Sequence, residues 1–364
     1  MKKKMIIFFL ANFGQGGAGQ SISRLCLNLS KKNYKILILC LNKCFYKKIF
    51  SENKIEVIEI NKKKVLFAIG IINKIVKTFI KKHNKVIFVS NLFYSNAITL
   101  LFLKRHKKLK LVLTERTPLQ ELNIYFGIID FIKKIIIKII LKINYKKADL
   151  IISNSKKTAS DISKFSNGNS IYIYPPSYKK FVSVKKKDQD ILRILSVGRL
   201  SAEKNFKNLI ENLSRLKNVN FTLKIIGDGP ERKKLSQLIR KKNLEKKIKI
   251  ISYRKNLRKY FMESDLFVSS SKFEGFPNVV VEAISNNLPV LSSSSHGGIY
   301  EILKNKKYGM IYNSENFFSF ESKIKYFVKN KEKFTFSKAH VKKDFREFHQ
   351  KISSQRYDKV FKKL

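Results

Sequence analysis

Apolar runs of strand length recur through the first half of the chain: MIIFFLA, KILILCL, KVIFVS, LKLVLT and ADLIIS, each followed by a helical or mixed stretch. The runs are continuous rather than alternating. Strands of that kind are buried on both faces, and helices between them cover a parallel sheet. The rhythm breaks near 175–190 at YPPSYKKFVSVKKKDQD, where two prolines and a charge run mark a linker. It restarts with ILRILSVG, FTLKIIG, KIKIIS, DLFVSS and LPVLSS. The pattern predicts an α/β protein of two doubly wound, Rossmann-like domains, 1–180 and 190–342, followed by a helical tail over 343–364. A length of 364 residues suits two such cores, and 44% hydrophobic residues with 6 prolines suits a globular chain.

The start, MKKKMIIFFLANF, has the outline of a signal peptide. Its apolar run is short and a glycine-rich turn follows in place of a cleavage site, so it reads as the first strand. No uninterrupted apolar run reaches the length of a membrane span, and no transmembrane helix is expected.

The formal charge is +51. Lys far outnumbers Arg, and Ile and Asn are abundant too, a joint bias that matches A+T-rich coding. A basic nucleic-acid-binding protein is one alternative. The basic residues are spread along the chain, however, and no nucleic-acid motif accompanies them, so no nucleic-acid partner is expected. Such a surface is drawn to anionic lipid headgroups. Cys26, Cys40 and Cys44 form no CxxC pair, and the 5 histidines form no HExxH pair. A reducing cytoplasm and no protein-held metal are expected.

Ligands of doubly wound sheets bind at the carboxyl ends of strands. After the first strand comes NFGQGGAGQSISRL, where Gly14, Gly16, Gly17 and Gly19 let backbone approach a ligand at a helix start. The spacing is not GxGxxG. After ILRILSV comes GRLSAEKNF, where Arg199 and Lys204 flank a strand-to-helix turn and suit a diphosphate as a fork and a point charge. Asn205 reads as the cap of the following helix. In KIIGDGPERKKL, Gly227-Asp228-Gly229-Pro230 reads as a tight turn with Pro230 starting a helix. In SKFEGFPNVVVEAISNNLPV, Pro277 suits a first helical position, leaving N–H groups of Asn278 to Val280 for a phosphate. Glu274 then lies in the turn and Glu282 on the second helical turn. An acid there accepts hydrogen bonds from hydroxyls, a ribose diol among them.

FEGFPNVVVEA resembles the Glu-x7-Glu pattern of the retaining GT-B glycosyltransferases of family 4, the glycosyl transferases group 1. VGRLSAEKNF, IGDGP and NLPVLSSSSHGGIYEIL are similar to that family's other donor-side motifs, in the same order, and GQGGAGQ and LVLTERTP resemble it more loosely. The resemblance implies two domains facing across a cleft, with a UDP-linked or other nucleotide sugar held mainly by the second and the last helix crossing back to the first. Arg199 and Lys204 would hold the diphosphate and stabilise its charge on leaving. Glu282 would bind the ribose, and Glu274 would contact the sugar near its reacting face. Gly275, Phe276, Pro277, Asn278 and Val279 would line the donor, with Gly16 and Gly17 approaching from the other domain. A hexose or N-acetylhexosamine would move with retention, and neither metal nor cofactor would be needed.

Where many members carry a histidine, this chain has Thr114-Glu115-Arg116-Thr117-Pro118. A similar sequence occurs in relatives that extend lipid-linked bacterial glycans, which makes Glu115 and Arg116 candidate acceptor contacts. The implied acceptor is a lipid-linked saccharide or oligosaccharide of polysaccharide, capsule or lipopolysaccharide synthesis, met at the inner face of the plasma membrane by a cytoplasmic, peripheral enzyme. FGIIDFIKKIIIKIILKINYKK, 126–147, fits a helix at that interface, with Lys134, Lys138, Lys142 and Lys146 in one stripe. A non-transferring nucleotide-sugar epimerase on the same fold is the other alternative, but its pattern of acids is not seen.

Overall fold

The computed structural model describes residues 4–32, 34–125, 127–182, 190–295 and 297–364. Residues 1–3 of the start, 183–189 of the linker, Phe126 of the basic helix and His296 of the last donor-side motif lie outside the described residues. Cα packing divides the chain into two units, Met1–Pro176 with Glu347–Leu364, and Ser177–Arg346.

The first unit holds seven parallel strands: β1 (Lys4–Phe9), β2 (Tyr34–Cys40), β3 (Glu56–Glu59), β4 (Val86–Asn91), β5 (Leu109–Glu115), β6 (Leu150–Ser153) and β7 (Ser170–Tyr172). Their order is β3-β2-β1-β4-β5-β6-β7. β1 and β4 are fully or nearly fully buried, as continuous apolar strands between two helical layers must be. The chain's last helix, Gln350–Lys363, belongs to this unit and packs Tyr357 and Phe361 into the core beside Phe8. Asp358 on that helix accepts from Lys32 at 2.6 Å and from Tyr34 at 2.8 Å.

The helix Ile128–Asn144 is the one read as lying at a lipid interface. It buries Ile137, Leu141 and Asn144. Lys134 donates to Ile124 O and Lys138 to Asn123 Oδ1, so both turn toward the 3-10 segment Leu119–Asn123. The outward face is isoleucine: Ile129 is 81% exposed, and Ile128, Ile132, Ile136, Ile139 and Ile143 are exposed with it.

The second unit holds six parallel strands: β8 (Leu192–Val197), β9 (Phe221–Ile226), β10 (Ile248–Ile251), β11 (Leu266–Ser269), β12 (Val290–Ser293) and β13 (Gly309–Tyr312). Their order is β10-β9-β8-β11-β12-β13. Both sheets are therefore doubly wound, with the order reversing between β1 and β4 in one and between β8 and β11 in the other.

Candidate functional site

At the reversal point of the second sheet, the loops after β8 and β11 lie side by side. They are laced together by their backbones. Lys272 N donates to Glu203 O at 2.9 Å, and Ser270 Oγ to Lys204 O at 2.7 Å. On the far side, Leu200 N donates to Asp228 O at 3.0 Å, and Glu231 N to Leu200 O at 3.0 Å. Gly227 and Gly229 are glycines for this reason. A Cβ at either would lie 1.9 Å from Gly198 O or 2.3 Å from Leu200 O. The Gly227–Pro230 turn thus shapes the loop after β8, and Asp228 is spent on it, accepting from Tyr253 N at 2.8 Å and Arg232 at 3.0 Å. Pro230 stands just before the helix Arg232–Lys241 rather than inside it.

Lys204 and Glu274, seventy positions apart, form an ion pair across this junction. Ser271 Oγ donates to the same carboxylate oxygen at 3.0 Å. Arg199 stands exposed in the same loop as Lys204. Asn205 differs from its expected role. It occupies the N-cap position of the helix Phe206–Arg215, but its side chain makes no cap bond and its φ is +53°. Asn tolerates that left-handed turn, and the turn sets Lys204 at the end of its loop.

Gly275, Phe276 and Pro277 are buried, and the helix Asn278–Ser285 starts one residue later than expected, with Pro277 as its N-cap residue. Of the three N–H groups read as free, that of Asn278 donates to Phe276 O and that of Val280 to Pro277 O, both at 3.0 Å. Val279 and Glu282 are half-buried on this helix. The sequence did not point to the support beneath Glu274. Gly298 N donates to Gly275 O at 2.9 Å, and Gly297, at φ +107°, comes so close that a Cβ would lie 1.7 Å from Glu274 O. The Gly-Gly pair in SSSSHGGIYEIL was the available signal. Ser293 Oγ, donating to Ser271 O at 2.6 Å, carried none.

In the first unit, Gly16 is the N-cap of the helix Gly17–Leu29, and a Cβ at Gly16 would meet nothing within 4 Å. Arg116 is buried. Glu115 is 0% exposed, which corrects its reading as an acceptor contact: a carboxyl with no surface touches no ligand. It accepts from Asn96 Nδ2 at 2.7 Å and from the Tyr145 hydroxyl. Burial pushes it up from 4.5 to about 8, against the pull of those two donors. The folded state therefore holds a proton on Glu115 that the unfolded chain releases from about pH 4.5. This contribution to stability is present below that pH and is lost as pH rises through about 8. Glu115→Gln should flatten the fall in stability between those limits, as urea titrations at several pH values would show; an unchanged slope would refute it.

Among the described residues, no group of three His, Cys, Asp or Glu could hold a metal ion. No helix there is long and apolar enough to cross a membrane.

Residues 177–342 match the model of the family described as glycosyl transferases group 1. The chain is 27% identical over 336 residues, 85% of its length and 86% of the other's, to the N-acetylgalactosamine-N,N'-diacetylbacillosaminyl-diphospho-undecaprenol 4-alpha-N-acetylgalactosaminyltransferase of Campylobacter jejuni. It is 32% identical over 159 residues, 44% of its length and 43% of the other's, to the amylovoran biosynthesis glycosyltransferase AmsD of Erwinia amylovora. Its fold is that of Anabaena HepE, solved in complex with UDP and glucose, with a TM-score of 0.77 at 17% identity over 99% of both chains. Two Rossmann-like units give the chain the GT-B fold, residues 177–342 match the glycosyl transferases group 1, and the relatives it resembles over most of its length are glycosyltransferases.

Proposed function

We propose that the chain is a retaining hexosyl- or N-acetylhexosaminyltransferase that uses a UDP-linked donor and a lipid-linked saccharide acceptor in bacterial surface-glycan synthesis. The observation that carries it is the Lys204–Glu274 pair at the β8/β11 reversal point, with Arg199 in the same loop. In the reaction, the bond from the anomeric carbon to the diphosphate oxygen breaks and a bond to the acceptor hydroxyl oxygen forms. The hydroxyl proton passes to the leaving phosphate. Negative charge grows on the diphosphate as it leaves. Arg199 and Lys204 stabilise that charge, which is why neither metal nor cofactor is needed. Glu274, released from Lys204, faces the sugar, and Glu282 accepts from the ribose. Gly275 to Val279 line the donor in the second unit. The relatives favour transfer over both nucleic-acid binding and epimerisation. HepE was solved with UDP and glucose, and the Campylobacter relative is named for a diphospho-undecaprenol-linked substrate.

Kinetics test the division of labour. Glu282→Ala should raise KM for the donor with little change in kcat, since the ribose contact persists from ground state to transition state. Glu274→Ala should lower kcat instead. The reverse pattern would reassign both, and loss of activity in EDTA would reject the metal-free clamp.

The enzyme works at the inner face of the plasma membrane, docked through the first unit. Its exposed isoleucines continue into an apolar groove of about 360 Å³, lined by Tyr94, Ala97 and Ile98 on one helix and Ile129, Ile132 and Ile136 on the other. Lys133 stands over the Tyr94 ring, and each such lysine near an anionic surface adds about 1 kcal/mol. An apolar patch edged by cations suits a lipid surface of acidic headgroups. Ile129→Asp with Ile136→Asp should abolish co-sedimentation with anionic vesicles, while Lys134→Glu with Lys138→Glu weakens it less. Equal binding by all three proteins would remove this helix from the membrane contact.

A further inference from the structure

Arg116 follows β5 with its side chain only 9% exposed. Its Nε donates to Asn91 Oδ1 at 3.2 Å, and one terminal nitrogen donates to Ser21 Oγ at 3.0 Å. Both acceptors are neutral. No carboxylate among the described residues pairs with it; the groups that act on its charge are Tyr357 and Cys26, whose own protons are held by burial. Glu115, its neighbour in sequence, turns its carboxyl to Asn96 and Tyr145 instead. The contrast with Arg193 is direct, since Arg193 meets Asp265 through two nitrogens at 2.9 and 2.7 Å.

A guanidinium does not shed its proton, and a buried charge without a counter-ion is costly. The missing anion must come from outside the unit. The location says what could use it. Asn91 ends β4, and its Nδ2 donates to Phe9 O at the end of β1 at 2.9 Å. Ser21 lies one turn into the helix that follows β1. The guanidinium therefore sits over the carboxyl ends of β1 and β4, where the strand order reverses and doubly wound sheets take their ligands. The helix start beside it has no side-chain cap, and Gly16 faces open space. A fork of N–H donors beside uncapped backbone N–H groups suits a phosphate oxygen cluster.

We propose that Arg116 is the cationic centre of a second anion site, in the first unit, which binds a phosphate or diphosphate group of the acceptor. This rests on the reading of the chain as a transferase to a lipid-linked acceptor, since that chemistry brings a phosphate to the first unit. Retaining an uncompensated charge there costs stability in the ligand-free protein, and ligand binding recovers it.

The test uses the full chain carrying Lys204→Ala, which weakens the donor clamp, titrated with inorganic diphosphate by calorimetry. Adding Arg116→Gln should weaken diphosphate binding at least tenfold. Without ligand, Arg116→Gln should keep or raise Tm, because it removes an unpaired buried charge. Ser21→Asp supplies the anion internally, so it should raise Tm and block diphosphate even if the Gln variant fails to fold. Unchanged diphosphate binding, or a lowered Tm in both variants, would overturn the site. A parallel titration of the Lys204-intact chain with UDP separates the sources. UDP affinity within twofold of wild type in Arg116→Gln supports the acceptor group; a tenfold loss would overturn that source and give the anion to the donor. A wild type that binds no UDP would count against the transferase reading, while the diphosphate arm would still decide the anion site.

Discussion

Arg199→Ala should lower kcat about 10²–10³-fold, on the order of 3 kcal/mol, with the fold intact, and Lys204→Ala should do the same. Arg199 is exposed, and its side chain makes no hydrogen bond or ion pair among the described residues, so its loss removes charge from the leaving diphosphate and little else. Lys204 is tied into its loop by backbone bonds that alanine keeps, Ser270 Oγ to Lys204 O at 2.7 Å and Lys204 N to Ser201 O at 3.0 Å. Its side chain pairs with Glu274, whose carboxylate retains Ser271 at 3.0 Å when the lysine is gone. Melting curves beside single-turnover rates would check both halves of the expectation. Near-normal rates in both variants would remove the clamp from the mechanism.

Gly297→Ala should be lost to folding rather than to chemistry. Its φ of +107° is strained for any L side chain, and the new Cβ would stand 1.7 Å from Glu274 O. The backbone strain alone is worth about 1–3 kcal/mol. The collision comes on top of it, and relief of that collision moves the loop that holds Glu274 against Lys204. Tm and activity should therefore fall together. Gly16→Ala is the contrast. Its φ is −67° and its surroundings are open, so stability should stay within about 0.5 kcal/mol of wild type. A stable Gly297→Ala protein would show that the loop after β12 does not constrain Glu274.

The strands that form the middle of each sheet were legible because continuous apolar runs leave few other ways to be buried. LKLVLT, for example, lies within β5, Leu109–Glu115. Of the edge strands β10 was read, as KIKIIS, but β3, β7 and β13 were not. β3 reads EVIE and β7 reads SIY, both only partly buried, and four or three mixed residues carry no periodicity to read. At the site, the sequence supplied Lys204 and Glu274 as separate motifs; their pairing needed β8 and β11 to be neighbours, which a list of runs does not contain. Asn205 was misread because Asn serves both as an N-cap and in left-handed turns, and only the backbone decides between them. Glu115 is closed off as a ligand contact because it is buried at the end of β5 with Asn96 and Tyr145 on its carboxyl, which the sequence does not show. The helix Ile128–Asn144 did not show in its sequence which of its two stripes faces outward. Lys134 and Lys138 of its lysine stripe find acceptors at Ile124 and Asn123, while Lys142 and Lys146 stay exposed with the isoleucines.

Equilibrium titration of the full chain with UDP in EDTA tests most directly whether the β8/β11 junction is the nucleotide site. Wild type should bind saturably at one site, and Arg199→Ala and Glu282→Ala should each weaken it at least tenfold while melting as wild type does. No binding by wild type, or equal binding by all three, would contradict the account.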